Sequence, residues 1–212
     1  MGPVKPHQEY RDQKERFDEW SESYEQGLLW KKFFLPLHIM IVKRAGGASG
    51  LTVLDLGCGT GDLLRRFAEA GASELIGIDT SEGMLKVASR LSSGEPGIRF
   101  LAASAERLPL ETETVDIVTS CIAFHHFPDP PGALREAGRV LKRGGTLLLC
   151  DMSRSGAAGR AMLAIGRWRK ADRRYFDPSR VVEMLAGTGL YPLHVESARR
   201  LPPVFLLEAR KA

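Results

Sequence analysis

The sequence has few cysteines, and their positions exclude a disulfide-based architecture. Among 212 residues there are three, Cys58, Cys121 and Cys150, and each lies in or beside an apolar run that predicts a strand. An odd number in such places argues against a disulfide framework and indicates a reducing compartment, so we expect a cytoplasmic protein. We expect each cysteine to be a small buried residue rather than a reactive one.

Long apolar runs are also missing. The first residues are polar and include Pro3 and Pro6, so they predict no signal peptide. The longest apolar stretch, Phe33 to Val42, is interrupted by Pro36 and His38 and is too short to cross a bilayer. The apolar fraction of 43% and the charged fraction of 26% are ordinary for a soluble globular protein. The length suffices for one domain with a sizeable core.

No strong excess of charge favours nucleic acid, since the net charge is only +4. Residues 152–176 are the exception, because Asp172 is their only acid. Their cations are Arg154, Arg160, Arg167, Arg169, Lys170, Arg173 and Arg174, with Trp168 among the interleaved apolar residues. The segment is either a solvated face or a surface for an anionic small molecule, a membrane or nucleic acid. Nucleic acid is the least favoured of these, because no separate RNA-binding module accompanies the segment.

The most informative stretch covers residues 51–61 and reads LTVLDLGCGTG. An apolar strand ends at the acid Asp55 and runs into glycines at positions 57, 59 and 61, after which a helical pattern begins. Doubly wound folds bind nucleotides with this order of strand, glycine turn and helix. The dinucleotide fingerprint G-x-G-x-x-G has its last glycine inside the helix, whereas the spacing here is tighter by one residue. A plain glycine turn without a ligand is the alternative.

This stretch resembles motif I of the class I S-adenosylmethionine-dependent methyltransferases. Two later segments resemble the type 11, ubiquinone/menaquinone-biosynthesis-like branch: IAFHHFPDP, and LREAGRVLKRGG with Arg143 where proline is usual. The resemblance covers residues 51–151. It implies an α/β, Rossmann-like, doubly wound sheet of seven strands, mostly parallel with the last strand antiparallel. The later strands are expected at Glu74–Asp79, Ile98–Ala102, Val115–Cys121, Thr146–Asp151, Tyr191–Ala198 and Val204–Ala209.

The predicted organisation is an N-terminal helical flank or lid over residues 1–44 and a methyltransferase domain over residues 45–212. Residues 152–176 would be an insertion on the substrate side. The flank should be helical from Phe17 to Val42, broken near Gly27 or Pro36. Its aromatic residues either pack on the domain or cover the ligand cleft. FDEWSESYEQ resembles the family segment F-D-x-x-A-x-x-Y-D, which implies that Tyr24 approaches the cofactor.

The resemblance implies S-adenosylmethionine as cofactor and S-adenosylhomocysteine as product. Asp79 lies about 20 residues after the glycine loop, where such folds place the carboxylate that binds ribose hydroxyls; a helix N-cap is the weaker alternative. Asp55 either receives the ammonium group of the methionine end or braces the loop. Met84 lies against the adenine or in the core, and Ser104 replaces an acid that recognises the adenine. The full expected set is Tyr24, Asp55, Gly57, Cys58, Gly59, Gly61, Asp79, Thr80, Met84, Ser104, Ala105, Glu106 and Cys121.

His125 and His126 are the candidate catalytic residues, and no metal is expected. A hydroxyl or weak carbon acid as acceptor would need a general base, whereas a thiolate or amine would not. Adjacent residues at a strand end cannot both point into one cleft, and the alternative is that one histidine caps a loop and the other packs. The expected function is methyl transfer to a small molecule that is acidic or amphipathic. The alternatives are a methyltransferase-like binding module without transferase activity and a nicotinamide-dependent oxidoreductase. No nucleic-acid partner is expected, peripheral membrane contact is allowed, and the oligomeric state stays open.

Overall fold

The computed structural model describes residues 14–28, 30–153, 175–198 and 203–212. Its strands are β1 Thr52–Leu56, β2 Glu74–Asp79, β3 Ile98–Ala102, β4 Val115–Cys121, β5 Leu141–Met152, β6 Leu190–Ala198 and β7 Val204–Lys211. They form one seven-stranded sheet in the order β3-β2-β1-β4-β5-β7-β6. Strands β1 to β5 pair in parallel, and β7 runs antiparallel to both β5 and β6. The predicted fold class is confirmed.

The central strands are apolar along nearly their whole length because helices cover both faces of the sheet. Val53 and Leu54 are adjacent in β1, yet both are fully buried, one in each of the two core clusters. The bounds of β2, β3 and β4 agree with the sequence prediction. Strand β5 begins earlier than predicted, since Leu141 pairs with Val115 ahead of a register shift in β4.

The helices are α1 at residues 14–20, α2 Leu35–Arg44, α3 Asp62–Glu69, α4 Glu82–Leu91, α5 Pro130–Val140 and α6 Pro178–Met184. Single turns of 3₁₀-helix lie at Ser21–Ser23 and Phe124–His126, and a π-helical turn at Trp30–Phe34 leads into α2. Helices α2 and α3 bury their apolar sides on one face of the sheet, and α5 and α6 on the other. No helix among the described residues is long and apolar enough to cross a bilayer.

The N-terminal flank divides into two parts with different surroundings. Its break lies at residues 24–27, whereas Pro36 lies in the first turn of α2, where a missing N–H group is tolerated. Leu37 and Ile41 of α2 are fully buried in the core, so this helix is part of the domain's packing. Within the predicted flank or lid over residues 1–44, α2 therefore packs as part of the core, and the lid itself stays a prediction. Of the predicted insertion 152–176, residues 154–174 lie outside the described part of the chain.

Candidate active site

A cleft opens at the carboxyl ends of β1, β2 and β4, where the strand order reverses direction. In open α/β sheets this is the place where ligands bind. The cleft encloses about 780 Å³, counting the part open to solvent. Its walls come from the glycine loop, the end of β2, the loop after β3, the loop after β4 and the segment around α1. The residues that line the cleft include Phe17, Tyr24, Gly57, Gly59, Asp79, Thr80, Met84, Ala105, Glu106, Cys121, Ile122, His126, Phe127 and Pro128.

The glycine loop is fixed to β2 through its backbone. The N–H groups of Gly57 and Cys58 donate to the carbonyl oxygen of Ile78, at 2.8 and 3.0 Å. Gly57 has a φ of 72°, and a Cβ placed there would lie 2.4 Å from the Cβ of Ala123. Gly59 also has a positive φ, 52°, but a Cβ there would meet no atom within 4 Å. The loop is therefore tightly packed at Gly57 and presents bare backbone to open space at Gly59.

Asp79 ends β2 with its carboxylate held at the cleft. One oxygen accepts from the N–H of Gly59 and the other from the N–H of Ser81, both at 2.9 Å. Burial raises the pKa of Asp79, although these backbone hydrogen bonds oppose the shift. Helix α4 is capped by Ser81, whose hydroxyl accepts from the N–H of Met84. The alternative of Asp79 as the N-cap is therefore not what the structure shows.

A second, smaller cavity of about 320 Å³ adjoins the cleft behind the glycine loop. The two share Tyr24, Gly57, Gly59 and Cys121. Aromatic side chains form much of its wall, which also includes the carboxyl groups of Asp55 and Asp62. The remaining lining residues are Trp30, Phe34, His38, Cys58 and Thr60. The two cavities are therefore neighbours that meet at these four residues.

Asp55 is buried between these spaces and the core. Its Oδ1 accepts a hydrogen bond from the hydroxyl of Thr119 at 2.8 Å. Burial raises the pKa of Asp55 to about 7, the Thr119 hydrogen bond opposes this, and the charge of Asp79 adds to it. Asp55 thus both braces β4 and borders the second cavity, so the two predicted roles are compatible.

Comparison with known proteins shows which family this part of the chain is similar to. Residues 54–149 match the family model described as a methyltransferase domain. These residues form a methyltransferase domain. The match spans the glycine loop, Asp79, the loop after β3 and both histidines. The resemblance to the ubiquinone/menaquinone-biosynthesis-like branch is confirmed.

The methyltransferase domain has named relatives among bacterial proteins. It is similar to demethylmenaquinone methyltransferase of Staphylococcus aureus, with 34% identity over 62% of this chain and 52% of the relative. It is also similar to the ubiquinone/menaquinone biosynthesis C-methyltransferase of Ectopseudomonas mendocina, with 37% identity over 60% and 49%. The chain thus spans about half the length of these curated relatives. The solved structure of YcgJ from Bacillus subtilis shares the fold at a TM-score of 0.71 and 22% identity, covering 82% of this chain and 97% of that one.

Gly61 and Ser104 were predicted to contact the cofactor, but the structure places both outside the lining of the two cavities. Gly61 is the residue before α3, and a Cβ there would lie 2.8 Å from the ring of Phe100, so its role is packing. The hydroxyl of Ser104 donates to the carboxylate of Glu106. After Ser104, Ala105 and Glu106 are the residues of this loop that line the cleft.

The two adjacent histidines, His125 and His126, lie in different surroundings. His125 is buried, and its Nδ1 lies 2.6 Å from Oδ1 of Asp151 while its backbone N–H donates to Oδ2. It does not line the cleft, so this placement does not support a role as a base acting on substrate. His126 lines the cleft. Its ring packs against the ring of Phe17 in a T-shaped arrangement, with 5.3 Å between the ring centroids. Of the two histidines, only His126 lines the cleft, where a residue must lie to act on a substrate.

Several polar residues around the site were missed from the sequence. Asp18 accepts hydrogen bonds from the hydroxyl of Ser81 and the N–H of Gly83 at the start of α4. Glu25 accepts from the hydroxyl of Thr60 and from Arg65 of α3. His38 pairs with Asp62 between α2 and α3. Asp18 is the acid of the segment that resembles F-D-x-x-A-x-x-Y-D, and His38 is a histidine inside the apolar stretch Phe33 to Val42, so the sequence offered a signal for both. Glu25 carries no such pattern.

Proposed function

We propose that the protein transfers a methyl group from S-adenosylmethionine to a small-molecule acceptor. The observation that carries this proposal is the placement of Asp79 opposite the open backbone of Gly59. Both oxygens of Asp79 accept backbone N–H groups, and the residue lines the cleft. A vicinal diol needs two such acceptors, so the residues fit the ribose of the cofactor.

The other predicted contacts fit the rest of the cofactor in the same way. Thr80 and Met84 lie beside Asp79, while Ala105 and Glu106 border the end of the cleft suited to the adenine. The shared residues Tyr24 and Cys121 lie where the two cavities meet. A ligand with a nucleoside at one end and an amino acid at the other would place its sulfur near this junction.

When bound, S-adenosylmethionine supplies an electrophilic methyl group on a positively charged sulfur. The chain contributes uncharged groups beside that position. Burial, followed by the negative charges nearby, raises the pKa of Tyr24, so its ring stays neutral and can face a cation. A hydrogen bond with Cys150 and burial raise the pKa of Cys121, and burial raises that of Cys58. Both cysteines therefore remain thiols, which are poor competitors for the methyl group.

The acceptor side of the cleft is largely apolar. Phe17, Ile122, Phe127 and Pro128 line it, with His126 among them. Such a wall suits an aromatic or amphipathic acceptor, and the names of the relatives point to acceptors of the quinone type. His126 would remove the proton from an acceptor that loses one as the new bond to the methyl carbon forms. The acidic character of the acceptor rested on residues 154–174, which lie outside the described residues.

We further propose that residues 14–28 act as the lid. Phe17 and Tyr24 contribute to the cleft wall, and Asp18 and Glu25 attach the segment to α4 and α3. Since both acids bind groups at the rim of the cofactor site, ordering of this segment and cofactor binding should favour each other.

Two experiments test the proposal: calorimetry with S-adenosylmethionine, and a methyl-transfer assay with the reduced form of a demethylmenaquinone as acceptor. We expect micromolar-range binding of the cofactor. Asp79→Ala should weaken it by about 1–3 kcal/mol, because charge-assisted hydrogen bonds are lost. His126→Ala should lower turnover of the quinol while leaving cofactor affinity unchanged. Unchanged binding in Asp79→Ala would refute the ribose assignment, and cofactor binding without transfer to any acceptor would favour a binding module.

A further inference from the structure

The second cavity contains a buried polar pair that the roles assigned above do not use. His38 lies on α2 and Asp62 is the first residue of α3, and each is only 7% exposed. Nδ1 of His38 lies 2.7 Å from Oδ2 of Asp62. Both residues line the cavity. A polar pair buried at this depth is costly unless its groups find partners.

Asp62 determines which nitrogen of His38 is available. Arg66 donates to both oxygens of Asp62, at 2.7 and 3.1 Å. Despite its burial, hydrogen bonds from His38 and Arg66 lower the pKa of Asp62 to about 2. The carboxylate is therefore ionised and can only accept, so Nδ1 of His38 must carry the hydrogen. The ring of Trp30 meets that of His38 edge-on at 5.2 Å and fixes its orientation.

The other nitrogen, Nε2, forms no hydrogen bond with any described residue. It is not one of the fully enclosed atoms, unlike Nε2 of His125. Since His38 lines the cavity, Nε2 is the polar atom that it can offer to an occupant. With the hydrogen of Nδ1 donated to Asp62, Nε2 of a neutral ring can only accept a hydrogen bond. Donation from Nε2 to an anionic occupant therefore requires a hydrogen on both ring nitrogens, and the ring then has an anionic partner on each side.

The cavity favours an anionic group on the side of α3. This helix begins at the cavity wall, and the residue before it, Gly61, supplies no side-chain cap for its free N–H groups. The first N–H groups of a helix favour negative charge. Because the cavity communicates with the nucleoside side of the cleft, its occupant would be the amino-acid end of the same cofactor.

We infer that His38 binds the carboxylate of the cofactor's methionine end through Nε2–H, and that Asp62 is the positioning residue that holds the ring for this contact. This role rests on the proposed function, because it requires S-adenosylmethionine as the ligand. Asp55, the other acid of the cavity, is left to receive the ammonium group.

Two substitutions at position 38 test the contributions of the two ring nitrogens of His38 separately. His38→Asn keeps an N–H group near Nδ1 for Asp62 and removes the group at Nε2. His38→Gln reaches the position of Nε2 and serves as the matched control. The probes are S-adenosylmethionine and decarboxylated S-adenosylmethionine, which differ in the carboxylate alone. Binding is measured by calorimetry, and thermal unfolding verifies that each variant is folded.

The wild-type protein should prefer S-adenosylmethionine over the decarboxylated form. His38→Asn should weaken binding of S-adenosylmethionine about 10-fold or more, with little change for the decarboxylated form, and His38→Gln should recover part of the loss. Equal affinity of His38→Asn and wild type for S-adenosylmethionine would overturn the inference. So would an equal loss for both probes, which would mean that His38 only shapes the cavity. A wild-type protein that binds neither probe would instead refute the proposed function, and the role of His38 with it.

Discussion

At the scale of single residues, substitutions of Gly57 and Gly59 should have different effects, the first mainly on stability and the second mainly on cofactor binding. Gly57→Ala should lower the free energy of unfolding by about 2–4 kcal/mol, because its Cβ would overlap Ala123 in a left-handed backbone. Gly59→Ala should cost only about 1 kcal/mol of stability, since its Cβ meets no protein atom. It should nevertheless weaken cofactor binding, because the new methyl group enters the cleft. Urea unfolding and calorimetry measure the two effects, and undiminished binding in Gly59→Ala would show that the loop does not face the cofactor.

Asp55 should make the stability of the cofactor-free protein depend on pH. Its pKa is about 7 in the folded protein against an ordinary value of 3.8, so the folded state retains a proton that the unfolded state releases. Stability therefore falls as pH rises from about 4 to about 7. Asp55→Asn removes this loss and keeps an acceptor for Thr119. The variant should melt above the wild type at pH 8 and close to it at pH 4, and an offset that does not vary with pH would contradict the buried, protonated carboxyl.

Residues could be predicted where chain direction alone determines their place. Asp55 lies one residue before the end of β1, and Asp79 ends the parallel β2, so both had to lie near the same edge of the sheet. His38, Asp18 and Glu25 depend on contacts between distant parts of the chain, with 24 to 65 residues between partners. No local pattern encodes such pairings. Ser104 is a different case, because its hydroxyl donates to Glu106, a neighbour in its own loop.

At the scale of elements, the segment 14–28 and helix α2 should respond differently to truncation. Deleting residues 1–28 should leave a folded domain with weaker cofactor binding, because it removes Tyr24 and the attachments at Asp18 and Glu25. Deleting residues 1–44 should also remove Leu37 and Ile41 from the core, at about 2–5 kcal/mol for each buried side chain. Thermal unfolding and calorimetry of both truncated forms distinguish the outcomes. A shorter deletion with full cofactor affinity and turnover would exclude the lid.

The strands were predictable at this scale because buried parallel strands are short apolar runs that end in turn residues. Strand β5 was the exception, since its first residues are polar and include Gly144 and Gly145, which do not resemble a strand. The break in the flank was ambiguous for a similar reason. Proline disrupts a helix interior but is tolerated in its first turn, and the sequence did not reveal where α2 begins.

For the whole molecule, the relation between the two cavities is what distinguishes methyl transfer from the dinucleotide alternative. A dinucleotide would place a pyrophosphate at the glycine loop and a second nucleoside beyond it. Here the space beyond the loop is a small aromatic cavity with Asp55 and the His38–Asp62 pair. That chemistry suits a zwitterionic amino acid better than a second nucleoside, and it agrees with the family of residues 54–149.

Thermal unfolding with each cofactor tests this at the level of the intact protein. A ligand at 100 times its dissociation constant stabilises a folded protein by about 2.7 kcal/mol. For a chain of this length that corresponds to a rise in Tm of about 5–10 °C. S-adenosylmethionine and S-adenosylhomocysteine should both produce such a rise, whereas NAD at the same concentration should leave Tm unchanged. Because Asp79 would serve the ribose of either cofactor, a rise with NAD as well would keep the ribose site but remove the argument that the second cavity selects an amino acid.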